Sequence, residues 1–415
     1  MVRQVFVFIH RWAGLAMTVF LILVGLTGSL LAFKSDVERL ICPQIYATPR
    51  PGVPPLDFAT LAERAETLVP QGRVVTVELS EPDQALVVME PRDDAATGKA
   101  YNLDFVQLFL DPWTGGELGR RRSFALSEGL INLVPFIYDL HVTLALGAPG
   151  AWVLGIVALL WTIDCFIGFY LTLPLSTGAF WRRWKTAWLV KWKAGAYRLN
   201  FDLHRAGGLW LWPMLLIFAW SSVMFNLYQI YDWATGAVFD YVPLSGHPDR
   251  MTPHSPRLDF RAALSTGERL TAEQATRNGF SVQRAVMLYR MGGVYTYDVK
   301  SSRDSRDKLG LTSINFDAET GALISLDLPT GEHSGNTITY WLRALHMADV
   351  FGLPYRIFVC VLGLVITMLS VTGVYIWWKK RKARLHRQSR SPADASAGSE
   401  GSASMSDGAP ATARQ

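Results

Sequence analysis

The chain carries the same histidine pattern twice, at the ends of apolar runs, and that duplication constrains its fold more than any other feature. His10-Arg11 leads three residues on to Gly14-Leu15, and His204-Arg205 leads in the same way to Gly208-Leu209, each at the head of a long apolar run. A second histidine follows in each half. His141 is trailed by Gly147, Pro149, Gly168 and Tyr170, and His346 by Gly352, Pro354, Gly373 and Tyr375 in the same register. Four membrane-associated histidines in two matched pairs point to a bound metal cofactor.

With 415 residues, 50% of them hydrophobic, and a mean hydropathy of +0.18, the chain is too apolar for an ordinary soluble enzyme. Four stretches, residues 5–33, 152–173, 209–227 and 357–378, approach the roughly 20 residues that cross a bilayer as helix. The first is longer than the apolar region of a secretory signal and no A-x-A site follows it, so it reads as an uncleaved anchor. Basic residues set the orientation. Arg182, Arg183, Lys185, Lys191, Lys193 and Arg198 crowd the link between the second and third spans, and Lys379, Lys380, Arg381, Lys382 and Arg384 follow the fourth. Both termini and this link are therefore expected in the cytoplasm. The net charge of +5 is a cytoplasmic excess and not a nucleic-acid patch. The three cysteines form no metal-binding spacing and no expected disulfide framework.

These boundaries divide the chain into a first membrane helix (1–34), an outer segment (35–126), a histidine-bearing helix with the second span (127–174), a basic cytoplasmic loop (175–203), the third span (204–228), a second outer segment (229–335), another histidine-bearing helix with the fourth span (336–380), and a tail (381–415). From residue 391 the tail is too polar to bury a core and is expected to be disordered. Each outer segment has the pattern of a small α+β domain. A helix over 58–69 precedes strands over 74–79, 85–89 and 106–111; a helix over 271–278 precedes strands over 282–290, 294–299 and 311–317. Both end in the same turn, Asp111 to Gly115 and Asp317 to Gly321, with aspartate to cap amides and glycine to accept a left-handed backbone.

Topology sorts the histidines by side. His10 and His204 lie near the cytoplasmic face, His141 and His346 near the opposite face, so the expected couples are His10 with His204 and His141 with His346. Parallel repeats about an axis along the membrane normal would set each couple on two sides of one planar ligand. Zinc would require three or four protein ligands at one point, whereas two axial imidazoles suit a six-coordinate b-type haem that transfers electrons. No C-x-x-C-H occurs, so the haem would be non-covalent. Arg11 and Arg205 follow the cytoplasmic histidines and read equally as partners for haem propionates or as positive-inside anchors. Arg343 stands one turn before His346, but Tyr138 takes its place in the first half. His247, His254, His333 and His386 read as solvated.

The paired D-x-x-T-G turns, the H-R-x-x-G-L openings and the L-H motif before the second and fourth spans resemble the PepSY-associated transmembrane family, which includes inner-membrane siderophore reductases and iron-regulated membrane proteins of Gram-negative bacteria. The resemblance covers nearly everything from Val5 to Trp378. It implies a membrane α-helical fold of four transmembrane helices in two parallel repeats, with two periplasmic α+β PepSY-like domains. The expected function is electron transfer through two b-type haems to ferric siderophore in the periplasm, releasing Fe(II). No G-x-G-x-x-G opens a nucleotide-binding unit, so quinol or a separate reductase is the expected donor. The rival readings are a membrane-anchored PepSY regulator or binding protein without redox activity, and a carrier built on parallel repeats. The first leaves His10 and His204 without a role, and the second lacks intramembrane acids other than Asp164.

Overall fold

The computed structural model describes residues 1–122, 124–243 and 256–389. His247, His254 and the tail from residue 391 lie outside the described residues. The helices are α1 (Val2–Leu31), α2 (Lys34–Ile41), α3 (Phe58–Leu68), α4 (Leu133–Thr143), α5 (Ala148–Thr172), α6 (Phe180–Lys185), α7 (Ala196–Trp210), α8 (Trp212–Asn226), α9 (Tyr228–Gly236), α10 (Phe260–Asn278), α11 (Ser334–His346) and α12 (Gly352–Ser389). The strands are β1 (Gly72–Glu81), β2 (Gln84–Pro91), β3 (Gln107–Leu110), β4 (Glu117–Arg121), β5 (Val282–Met291), β6 (Val294–Ser301), β7 (Thr312–Asp317) and β8 (Leu323–Asp327).

Among the described residues, α1, α5 and α12 are long and apolar enough to cross a membrane, and α7 with α8 makes a fourth span only if the bent pair is taken together. The expected third span is thus interrupted. Helix α7 ends at Trp210 and α8 restarts at Trp212. Pro213, in the first turn of α8, has no amide to bond a carbonyl one turn back, which removes the bond that would carry one helix through Leu211. Helix α7 also starts at Ala196, inside the stretch read as a loop, so His204 sits within a helix and not at its opening.

The chain forms two compact units. One comprises Met1–Val19, Phe166–Trp212 and the chain from Met368. Its polar anchor is Asp202, fully buried on α7, which accepts from Arg198 at 3.0 Å and Arg205 at 2.9 Å. Arg3 donates to the carbonyls of Leu171 and Leu173 at 2.6 and 3.0 Å, satisfying oxygens left open where α5 ends. In the connecting link, Trp184 meets Phe169 and Trp188, and the Trp210 indole N–H donates to the Trp188 carbonyl at 3.0 Å.

The second unit comprises Phe20–Cys165 and Pro213–Thr367. Here the two α+β segments join as halves of one antiparallel sheet of order β4-β3-β2-β1-β5-β6-β7-β8. The seam is the β1–β5 pair, with Thr76 opposite Tyr289, Val77 opposite Leu288 and Glu78 opposite Met287. Each half gains a fourth strand, β4 or β8, after its D-x-x-T-G turn. Asp111 Oδ1 accepts from the Trp113 and Thr114 amides at 2.8 and 3.2 Å, and Asp317 Oδ1 from those of Glu319 and Thr320 at 3.0 and 2.9 Å. Gly115 and Gly321 sit at φ +69° and +70°, where a side chain would be strained. Both turns are structural.

Helices α3 and α10 bury their apolar faces in a single core with Val77, Val87, Leu108, Leu288, Val299, Ile314 and Phe316. Each opens with an aspartate cap: Asp57 accepts from the Thr60 amide and Asp259 from that of Ala262, both at 2.7 Å. Buried arginines tie the margins, Arg121 to Glu38 and Arg290 to Glu90, the latter across the two halves. In the apolar part of the unit, α1 and α12 approach closely at Gly25 and Gly363: a Cβ on Gly25 would lie 2.7 Å from the Gly363 carbonyl.

Candidate functional site

The four repeated histidines meet as two couples, one in each unit. His141 on α4 and His346 on α11 have ring centroids 6.4 Å apart with planes at 66°. Thr27 Oγ1 lies 2.9 Å from His141 Nδ1 and donates its own proton to the Leu23 carbonyl at 2.8 Å. Ser221 repeats this geometry, with Oγ 2.7 Å from His346 Nδ1 and 2.7 Å from the Ile217 carbonyl. A hydroxyl has one proton, so when it goes to the helix carbonyl Nδ1–H is the donor to the hydroxyl oxygen and the lone pair falls on Nε2. Phe218 stacks on His346 at 4.7 Å and Phe225 meets it edge-on at 5.3 Å. Burial disfavours the imidazolium form, holding His141 down to about 4 and His346 down to about 3. Both rings are therefore neutral at physiological pH, the form in which imidazole binds a metal.

His10 and His204 form the other couple, with centroids 6.0 Å apart and planes at 61°. His204 Nδ1 lies 2.9 Å from the Leu369 carbonyl, which only accepts, so the lone pair again falls on Nε2; the Thr372 hydroxyl is also within 3.2 Å. Glycines face both rings. A Cβ on Gly168 would lie 3.6 Å from His10 Cε1, and one on Gly373 would lie 3.3 Å from His204 Cε1. Gly28 does the same for the outer couple, at 3.1 Å from His141 Cε1.

A metal held between two imidazoles sits about 2.0 Å from each nitrogen, with each ring centre about 1.1 Å further back, so the centres stand about 6.2 Å apart. The two observed separations bracket that value. Among the described residues no three His, Cys, Asp or Glu converge to hold a metal ion. Each site thus offers two imidazoles at a spacing that admits one metal, the donor number that haem requires from its protein and that a zinc site exceeds. The residues fit the group.

The arginines expected beside the inner couple behave differently from each other. Arg205 is engaged by Asp202 and by the Thr186 carbonyl at 2.7 Å, a structural role. Arg11 lies over the rings of Phe8 and Trp12, its Nε buried without a partner among the described residues. It also lines a cavity of about 470 Å³ with Arg3, Gln4, Val7, Phe8 and Arg384. His333 binds Asp240 at 2.9 Å, which raises its pKa, and His386 is exposed.

Residues 7–380 match the PepSY-associated TM region. The chain belongs to the PepSY-associated transmembrane family. It is 26% identical over 264 residues, 59% of its length, to the uncharacterized protein PA4219 of Pseudomonas aeruginosa, and the match spans 63% of that relative. Membership accounts for the apolar helices.

The sequence reading missed Thr27, Ser221, Leu369 and Thr372. A signal for the first two was present: Thr27 and Ser221 each stand seventeen residues after the repeated histidines His10 and His204. Hydroxyl residues at one offset in both halves mark a shared task. The carbonyl of Leu369 carries no such mark, because every residue has one.

Proposed function

We propose that this chain is a haem-containing reductase of the bacterial inner membrane, with both termini in the cytoplasm, that delivers electrons to ferric siderophore in the periplasm and so releases Fe(II) for uptake. The observation that supports it is the pair of imidazole couples at 6.0 and 6.4 Å, each matched in sequence between the two halves. When bound, a b-type haem would supply one-electron redox chemistry at each couple. His10 and His204 would hold one such group and His141 and His346 the other. Thr27, Ser221 and the Leu369 carbonyl orient the rings through Nδ1, the outer-sphere bond that fixes tautomer and raises ligand basicity. Phe218 and Phe225 exclude water from the outer couple. The substrate chemistry is consistent: oxygen chelators favour Fe(III), so an added electron loosens their hold. Quinol or a separate reductase is the donor.

The test is an optical spectrum of detergent-purified protein before and after dithionite, for the wild type and for His141→Ala and His204→Ala. The reading predicts a b-type spectrum with about half the haem lost in each variant, from different sites, and reoxidation of the reduced protein by ferric siderophore. A colourless preparation from haem-replete cells would overturn it and favour a membrane-anchored binding protein.

A further inference from the structure

We propose that Arg343 anchors a carboxylate of the prosthetic group held by His141 and His346. This rests on the haem reading and adds to it the residue that fixes how the macrocycle is turned in its site. Arg343 stands three residues before His346 on α11, so the two side chains leave the same face of one helix. Its Nε is buried and has no hydrogen-bond partner among the described residues. Leaving a buried charged donor unsatisfied costs more than a net hydrogen bond returns, so buried arginines are normally paired.

The same unit shows that rule at work. Arg121 holds Glu38, Arg306 holds Asp349 at 2.6 Å, and Arg290, whose Nε is likewise unpartnered, still holds Glu90 through a terminal nitrogen. The groups whose charge bears on Arg343 offer no comparable anion. They are Arg306, which is repulsive and already paired, the phenols of Tyr340, Tyr138 and Tyr289, and Asp298. Asp298 is already committed, accepting from the Ser313 hydroxyl at 2.6 Å, and burial raises its carboxyl well above the ordinary carboxylate range. Among the described residues Arg343 therefore has no anionic partner, on the helix that carries one of two imidazoles spaced to accept a metal. Haem brings two carboxylates on one edge, and a guanidinium binds a carboxylate through two parallel N–H bonds. In the first half Tyr138 takes the matching position and is about half exposed, so the site carries its charge on one side only. That asymmetry selects one rotational setting of a ligand whose carboxylates lie on one edge.

The experiment uses full-length protein in the His10→Ala background, which keeps the outer couple, and follows transfer of haem to excess apomyoglobin. Arg343→Ala should release haem about tenfold faster or more, the loss expected for one charge-assisted hydrogen bond. Arg343→Gln, which keeps the bulk, should behave like alanine, and Arg343→Lys should recover part of the retention. Reconstitution with haemin dimethyl ester, which has no free carboxylate, should bring the Arg343-containing protein to the alanine rate and leave the alanine variant unchanged. Equal release from arginine and glutamine proteins, or equal retention of haemin and its ester when Arg343 is present, would overturn the assignment while leaving the haem reading intact. Absence of haem from the wild-type protein would overturn both.

Discussion

Thr27 contacts Nδ1 of His141 at 2.9 Å, and Ser221 contacts Nδ1 of His346 at 2.7 Å. Duplication has preserved not only the imidazoles but the hydroxyls behind them. Thr27→Val keeps the shape and removes the acceptor for Nδ1–H, so on the proposed haem reading retention at the His141–His346 couple should fall about tenfold while the His10–His204 couple is unaffected. Haem release compared in His10→Ala and His141→Ala backgrounds measures this, and an equal effect on both sites would refute it.

The glycines facing the inner couple differ in tolerance. At Gly168 an added Cβ meets His10 Cε1 at ordinary van der Waals distance, 3.6 Å, whereas at Gly373 it meets His204 Cε1 at 3.3 Å, so that the ring must shift. On the proposed haem reading, Gly373→Ala should therefore broaden or displace the paramagnetic resonance signal of the haem held by His10 and His204, and Gly168→Ala should leave it near wild type. The reverse order would contradict the close approach.

Asp298 sets a pH dependence for the sheet. Burial raises its carboxyl to about 7 from the ordinary value of 3.8. Below that ordinary value both folded and unfolded chains are protonated, and the stabilisation is complete; between it and about 7 the unfolded chain ionises first, so stability is lost as pH rises through that window. At about 1.4 kcal/mol per unit the full effect is at most about 4 kcal/mol. Melting curves should show a lower transition temperature at pH 8 than at pH 5, and Asp298→Asn should flatten the difference. A variant that keeps the wild-type slope would locate the titration elsewhere.

The seam between the halves is open to the same kind of test. Leu288 is fully buried opposite Val77. Leu288→Ala should cost about 2–5 kcal/mol. Because both halves share one core, hydrogen exchange should speed in β2 and β6 together. Protection retained in one half alone would mean that the halves open separately.

Much of this arrangement was legible in the sequence. The histidine register gave the pairing, because identical spacings in two halves place matched side chains about one axis. The core strands β1, β2, β5 and β6 followed from their apolar residues and flanking turns. The β1–β5 seam did not. Edge pairing between distant strands is made by backbone groups, and Thr76, Val77 and Glu78 read the same whichever strand lies beside them. Strands β4 and β8 were missed because Glu117 to Arg121 and Leu323 to Asp327 are short and lie at the sheet margins, where their burial is incomplete. The break at Leu211 was within reach, since Pro213 stood inside an otherwise apolar run; the run's hydropathy concealed it. Arg205 shows the limit for charged residues: its position beside His204 was plain, but its commitment to Asp202 depends on a helical turn that begins earlier than the apolar run.

The joined sheet also bears on how the protein is made. A ribosome delivers β1 long before β5, and until the later half is made the earlier one presents an unpaired strand edge with its amides and carbonyls open. The newly made amino-terminal half is thus adhesive during synthesis, and sealing that border waits for β5 to be made.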